Sequence, residues 1–200
     1  MKINLAEKIQ KALNRRRHGE VPNKNGCLIH AAVLIPLLKT ESGYEVLFTE
    51  RTHLVEHHKG QISFPGGAVE DIDRDYEETA LRETFEEIGV SPGDVKVLGR
   101  LDDELTVASN FIVHPFVGKI PYPYEFIINR EEVERVITVP VELFFHENAH
   151  LHPRSIDFDT FTYEGPAYRY EDITIWGATA IIMHKFMGLI NGNLSLPDNY

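Results

Sequence analysis

The run His57-His58-Lys59-Gly60-Gln61-Ile62-Ser63-Phe64-Pro65-Gly66-Gly67, followed by Asp75 to Val90 (DYEETALRETFEEIGV), decides how this chain is read. The first part reads as a short strand, Gln61–Phe64, ending in the turn Pro65-Gly66-Gly67. The second reads as a helix from about Asp75 to Ile88. At about 100° per residue, Glu83, Glu86 and Glu87 fall on one arc, because residues three and four apart share a helix face. Leu81, Thr84, Phe85 and Ile88 fall on nearly the opposite face and are expected to pack on a core. Like charges at this spacing repel, and an all-oxygen carboxylate set suits a hard divalent cation, Mg²⁺ or Mn²⁺. Arg82 is expected to pair with Glu86 one turn on, or with Glu78 one turn back. Gly89 suits a left-handed C-cap. An acidic helix face alone reads as solvated surface. The upstream glycine pair, whose backbone can approach a ligand closely, favours a site.

These residues resemble the Nudix box of the Nudix hydrolases, G-x5-E-x7-R-E-U-x-E-E-x-G-U, with U aliphatic. Arg82-Glu83-Thr84-Phe85-Glu86-Glu87-Ile88-Gly89-Val90 matches its second half, with Thr84 in place of an aliphatic residue. The spacing from Gly67 to Arg82 is one residue longer than the consensus. Counting from Gly67 puts Asp73 at the first acidic position, and counting back from Arg82 puts Arg74 there, so that position stays open. The preceding Leu47-Phe48-Thr49-Glu50-Arg51-Thr52 and Gly60 to Gly67 are similar to the signature of the coenzyme A pyrophosphatase branch. Thr49, Arg51, Gly60 and Phe64-Pro65-Gly66-Gly67 fit it; Glu56 stands where the signature has a second arginine, a loss that Lys59, His57 or His58 would have to compensate.

The resemblance implies an α/β/α sandwich with a mixed β-sheet and metal-dependent hydrolysis of a pyrophosphate bond. It assigns Glu83, Glu86, Glu87 and the Gly67 carbonyl to the Mg²⁺ or Mn²⁺. It makes Glu86 or Glu87 the base, gives Arg82 the task of orienting the cluster, and assigns Arg51, Lys59 and Gly66 to a nucleotide-diphosphate substrate. For coenzyme A the products would be 3′,5′-ADP and 4′-phosphopantetheine. ADP-ribose or NADH is the alternative substrate class. A Nudix-fold binding protein without catalysis is a third reading, disfavoured because a pure binder has no need of three repelling carboxylates.

The 200 residues, 42% of them hydrophobic, suffice for one domain with a sizeable core. A net charge of −11 argues against a nucleic-acid surface. The lone cysteine, Cys27, excludes an internal disulfide and fits a reducing, cytoplasmic setting; it is expected in the core. Residues 1–17 lack an apolar signal segment, and Cys27–Leu38 is too short to cross a membrane. A homodimer is admissible, although no self-complementary patch is visible.

Residues 1–27 read as a helix and lead-in, 28–190 as the catalytic domain and 191–200 as a tail. The first helix spans about 4–16, with Asn4 and Glu7 as a capping pair and Arg15-Arg16-Arg17 as a solvated end. Strands are expected at Ala31–Leu38, Tyr44–Glu50, Val95–Asp102 and His114–Ile120. Between the last two, Asp102, Asp103 and Glu104 read either as a solvated turn or as the source of an extra catalytic carboxylate. Glu131–Phe145 reads as strand then short helix, Phe158–Tyr163 with Ala167–Tyr170 as a hairpin, and Trp176–Leu189 as a closing helix. Trp176 is expected as a packing anchor, and His146, His150 and His152 as an ordinary loop cluster.

Overall fold

The computed structural model describes residues 5–24, 26–52, 60–106, 110–145, 155–158 and 161–191. Its centre is β1 (Ile29–Lys39) paired in parallel with β7 (Phe111–Ile120) over their full length, Ile29 opposite Phe111 and Leu38 opposite Ile120. Around this pair the sheet is antiparallel: β2 (Tyr44–Arg51), β3 (Ile62–Ser63) and β8 (Val133–Pro140) on one side, β5 (Lys96–Arg100) and β6 (Glu104–Thr106) on the other. A further short strand, β4 (Gly66–Ala68), pairs with β1. The eight-stranded sheet is therefore mixed.

Period-2 alternation on β1 explains the layers. Ile35 and Leu37 share a core with Ile9 and Leu13 of α1 (Leu5–Asn14) and with Ala180, Met183 and Phe186 of α3 (Gly177–Asn191). Ala32, Leu34 and Leu38 face the other way, where Ala80 and Ile88 of α2 (Tyr76–Ile88) pack. One helix covers one sheet face and two cover the other, the α/β/α sandwich expected. No helix among the described residues is long and apolar enough to cross a membrane.

Several details correct the sequence reading. Phe85 is not core-facing: it is 53% exposed, while the buried line is Thr79, Ala80, Thr84 and Ile88. The i, i+4 row Ala80-Thr84-Ile88 lies on the sheet, so Phe85, one step of 100° further round, turns outward beside Ile72 and Leu81. Cys27 is exposed, not core. The hairpin across Glu164–Pro166 does not form. Instead β9 (Ser155–Phe158) pairs with β10 (Phe161–Glu164), and β11 (Tyr168–Tyr170) pairs with β12 (Ile173–Ile175). Trp176 packs edge-on against Tyr163, ring centroids 5.4 Å apart. Asn4, His146, His150 and His152 lie outside the described residues.

The acids at 102–104 are not a solvated turn either. Asp102 pairs with Arg16. Asp103 bonds Arg100 at 2.5 Å and His114 at 2.8 Å. Glu104 pairs with Lys185 of α3 at 2.5 Å. Each acid has its own cationic partner, Arg16, Arg100 or Lys185, so all three are structural ties.

Candidate active site

Two neighbouring pieces of backbone build the site: strand β4 and helix α2. Asp75 caps the helix, its side chain accepting from the Glu78 N–H at 2.9 Å. Gly89 ends it at φ 73°, its N–H bonding the Phe85 carbonyl at 2.8 Å. The glycine pair is part of a strand rather than a free turn: Val33 stands opposite Gly66, and Ala32 opposite Gly67. A Cβ on Gly66 would lie 2.4 Å from the Ala32 carbonyl oxygen, and one on Gly67 2.4 Å from the Glu83 carboxyl carbon. Backbone excludes a side chain at Gly66, whereas at Gly67 the end of the Glu83 side chain would have to move aside; the Glu83 carboxyl rests directly against the Gly67 backbone.

Arg82 organises the carboxylates. Its Nε and Nη2 donate to the two oxygens of Asp73, at 2.9 and 3.0 Å. Nη1 donates to Glu83 at 2.8 Å and to Glu86 at 2.9 Å, and Nη2 also reaches the Ala68 carbonyl at 3.1 Å. Glu78 is not a partner of Arg82; it takes Arg74 at 2.9 Å. The open first acidic position therefore resolves to Asp73, counted from Gly67. Its side chain is 1% exposed. The bidentate Arg82 fork, helped by the Glu70 N–H and the Thr79 hydroxyl, lowers its carboxyl to a pKa of about 2.

The three helix carboxylates differ in surroundings. Glu86 is 49% exposed. Glu83 is largely enclosed, and burial raises its pKa against the pull of Arg82. Glu87 is 2% exposed; burial raises its pKa to about 8, opposed by the charge of Arg51 and a bond from the Gly66 N–H. One Glu87 oxygen, Oε2, is buried with no hydrogen-bond partner, and so is Arg51 Nε. Unpaired buried oxygens are costly, and an all-oxygen anionic set of this kind fits a hard divalent cation. No three such side chains converge on one point among the described residues: Arg82 draws Glu83 and Glu86 towards itself, while Glu87 lies under Gly66.

Of the expected site residues, the structure joins Arg82 with Glu83 and Glu86, Gly67 with Glu83, and Glu87 with Arg51 and Gly66, as neighbouring groups and not as one converging carboxylate cluster. Lys59, along with Glu56, His57 and His58, lies outside the described residues. Sequence reasoning missed the Ala68 carbonyl and the Gly66 N–H as partners, since backbone groups carry no residue signal.

A family model, the NUDIX domain, matches residues 28–158. The chain is 36% identical over 155 residues to an uncharacterized Nudix hydrolase NudL of Pectobacterium atrosepticum, covering 78% of this chain and 79% of that protein. It is 32% identical over 184 residues to Nudix hydrolase 3 of Caenorhabditis elegans, covering 84% and 74%. A MutT/nudix family protein from Enterococcus faecalis has the same fold, with a TM-score of 0.55 at 15% identity over 95% of this chain and 71% of that one. The chain belongs to the Nudix hydrolase family. As such it is a pyrophosphohydrolase acting on the diphosphate bond of a nucleoside diphosphate derivative, and enzymes of this family generally use divalent metal ions.

Proposed function

We propose that this enzyme hydrolyses the pyrophosphate bond of coenzyme A or its acyl derivatives, giving 3′,5′-ADP and the (acyl-)4′-phosphopantetheine. The observation that carries this reading is the run Thr49, Arg51, Gly60 and Phe64 to Gly67, which has the spacing of the coenzyme A branch. The described parts of that run lie on β2, on β3 and at the entry to β4. Thr49 faces Ser63 across β2 and β3, Phe64 stacks on Phe48 at 5.0 Å, and Arg51 acts on Glu87.

Glu83, Glu86, Glu87 and the Gly67 carbonyl would hold Mg²⁺ or Mn²⁺. A divalent ion there supplies charge neutralisation on the diphosphate oxygens and a water of lowered pKa. The protein does the rest. Arg82, anchored by Asp73, fixes Glu83 and Glu86 on the helix face. Glu87 or Glu86 takes the proton of the attacking water. Arg51 and Lys59 bind phosphate oxygens, and Gly66 lets the substrate approach the backbone.

One observation favours a second reading within the family: Glu56 reverses the charge at the second arginine of the signature, which gives weight to ADP-ribose or NADH. A panel of coenzyme A, acetyl-CoA, ADP-ribose, NADH, a diadenosine polyphosphate and a nucleoside triphosphate, with Mg²⁺ and with Mn²⁺, separates the two by product mass. Preferential release of 3′,5′-ADP from the coenzyme A compounds supports the first reading. Preferential AMP from ADP-ribose or NADH sinks it and leaves the chemistry intact.

A further inference from the structure

We propose that Asn23, His30, His114 and Asp103 form a one-way chain of hydrogen bonds that latches the segment before β1 onto the start of α2, and that a single added proton opens this latch at Asn23.

The direction of the chain is set at Asn23. Its Oδ1 accepts the Leu28 N–H at 3.3 Å, and its Nδ2 donates to the Leu28 carbonyl at 2.9 Å. Turning the amide over would set like groups against each other at both bonds, so Nδ2 is the atom that faces His30 Nε2, at 3.2 Å. An amide nitrogen only donates. His30 Nε2 is therefore the acceptor, and the ring carries its proton on Nδ1. That Nδ1–H donates to His114 Nε2 at 2.9 Å. His114 must then carry its own proton on Nδ1, from which it donates to Asp103 Oδ1 at 2.8 Å. Arg100 Nη2 lies 2.8 Å from His114 Nδ1, but both are donors, and both serve the same Asp103 oxygen. The other oxygen, Oδ2, accepts the Val21 N–H at 3.0 Å. The chain thus begins and ends on the segment before β1. On its way it passes Tyr76, the first residue of α2. The Tyr76 ring stacks on His114 with centroids 3.7 Å apart, and its hydroxyl lies 3.2 Å from His30 Nδ1 as a second acceptor.

A further proton has no place in this chain. On His30 it would sit on Nε2, against Asn23 Nδ2. On His114 it would also sit on Nε2, and His30 could accept it only by moving its own proton to Nε2, again against Asn23. In either case donor meets donor at Asn23, whose amide is held by Leu28 and cannot turn. The titratable and charged groups that face the pair are Tyr76 from α2, Arg100 from β5 and Asp103 from the link to β6. Burial lowers the His114 pKa from its ordinary 6.5; Asp103 opposes this, while the charges of Arg100 and His30 add to it. A histidine held neutral in this way contributes its full stability above the ordinary value and loses it as the pH falls through the folded value. The latch is therefore closed at neutral pH and opens in acid. Gly19 and Ile29 stay tied by bonds that involve neither ring, from the Asp103 N–H and to the Asn110 carbonyl. What loosens is the stretch between them.

Nitrogen-15 spectra of the histidine rings, recorded on the full chain as the pH is lowered from 8, test this. At pH 8 both His30 and His114 are expected with the proton on Nδ1. Once the pair gains a proton, the order parameters of the Asn23 and Leu28 backbone amides should fall from about 0.85 to below about 0.6. Those of Leu34 in β1 and Val117 in β7 should hold. Asn23→Asp supplies a side chain that only accepts. His30 in N23D should hold a proton on Nε2 to a higher pH than in the parent, and Leu28 should stay rigid in acid. A proton on Nε2 of either ring at pH 8 overturns the proposal. So do Asn23 and Leu28 amides that remain rigid after the pair is protonated, or an N23D variant that titrates and loosens as the parent does.

Discussion

Replacing Asp73 by Asn, with Arg74→Ala as its counterpart, tests which residue fills the acidic position of the box. Asp73 titrates near 2 instead of 3.8 because the Arg82 fork holds its ionised form. At about 1.36 kcal/mol per pKa unit, that preference is worth about 2.5 kcal/mol. Asn keeps one acceptor for Arg82 but not the charge, so D73N is expected to lose about 2 kcal/mol. For a chain of this size that is about 4–8 °C in Tm. Arg74 is 83% exposed and makes an i, i+4 pair with Glu78. Its removal should leave the Tm close to that of the parent, because solvent screens so exposed a pair.

Thermal melts of the metal-free protein between pH 7 and pH 3 read both the size and the sign. A carboxyl whose folded pKa is depressed stabilises the fold above its unfolded value and loses that contribution as the pH falls towards its folded value. The gap between parent and D73N should thus be full at pH 7 and narrow steadily below about pH 4. R74A should show no comparable convergence. Equal losses in the two variants, or a D73N gap that does not narrow in acid, would refute the argument that the Asp73–Arg82 fork is the brace of the helix.

Glu87→Gln should cut turnover on the order of 100-fold or more without lowering the Tm of the metal-free protein, because the neutral amide replaces a carboxyl that burial already holds largely protonated near pH 7; steady-state kinetics beside a melt checks both. Gly66→Ala sets a Cβ 2.4 Å from backbone at Ala32 and should destabilise by about 2 kcal/mol or more. Gly67→Ala meets only the movable end of Glu83, so its cost should appear in Mn²⁺ affinity far more than in Tm. Lys185→Met strands the nearly buried Glu104 and should cost about 3 kcal/mol in urea melts. The E104Q/K185M pair should recover part of that loss.

How far the sequence reaches is plain from particular residues. The acidic face of α2 and its Gly89 stop follow from helical spacing, a local property, and both appear in the structure. Strands β1, β2 and β7 were legible because their apolar runs are long. The three acids at 102–104 were not, because their partners include Arg16 just past α1, His114 of β7 and Lys185 of α3, all distant in the chain. A charge looks solvated until its distant partner is placed. Phe85 failed for a related reason: a helical wheel gives relative angles, and only the sheet fixes which line of the helix faces inward.

The first acidic position shows the same limit inside the motif itself. Counting forward from Gly67 and backward from Arg82 gives two answers, because the loop between them carries one extra residue and a linear pattern cannot say where that residue sits. The folded chain closes the question through geometry. A guanidinium presents a planar fork, and only a carboxylate across from it can take Nε and Nη2 together. Asp73 does so, while Arg74 is turned to the surface beside Glu78. The extra residue is therefore accommodated after Asp73, in the link to the Asp75 cap, and the distance from the glycine strand to the acid is what the site preserves. That is the distance on which the site's chemistry depends: Gly67 bears on Glu83, Ala68 on Arg82, and Asp73 on the same guanidinium, so β4, the loop and α2 form one braced unit.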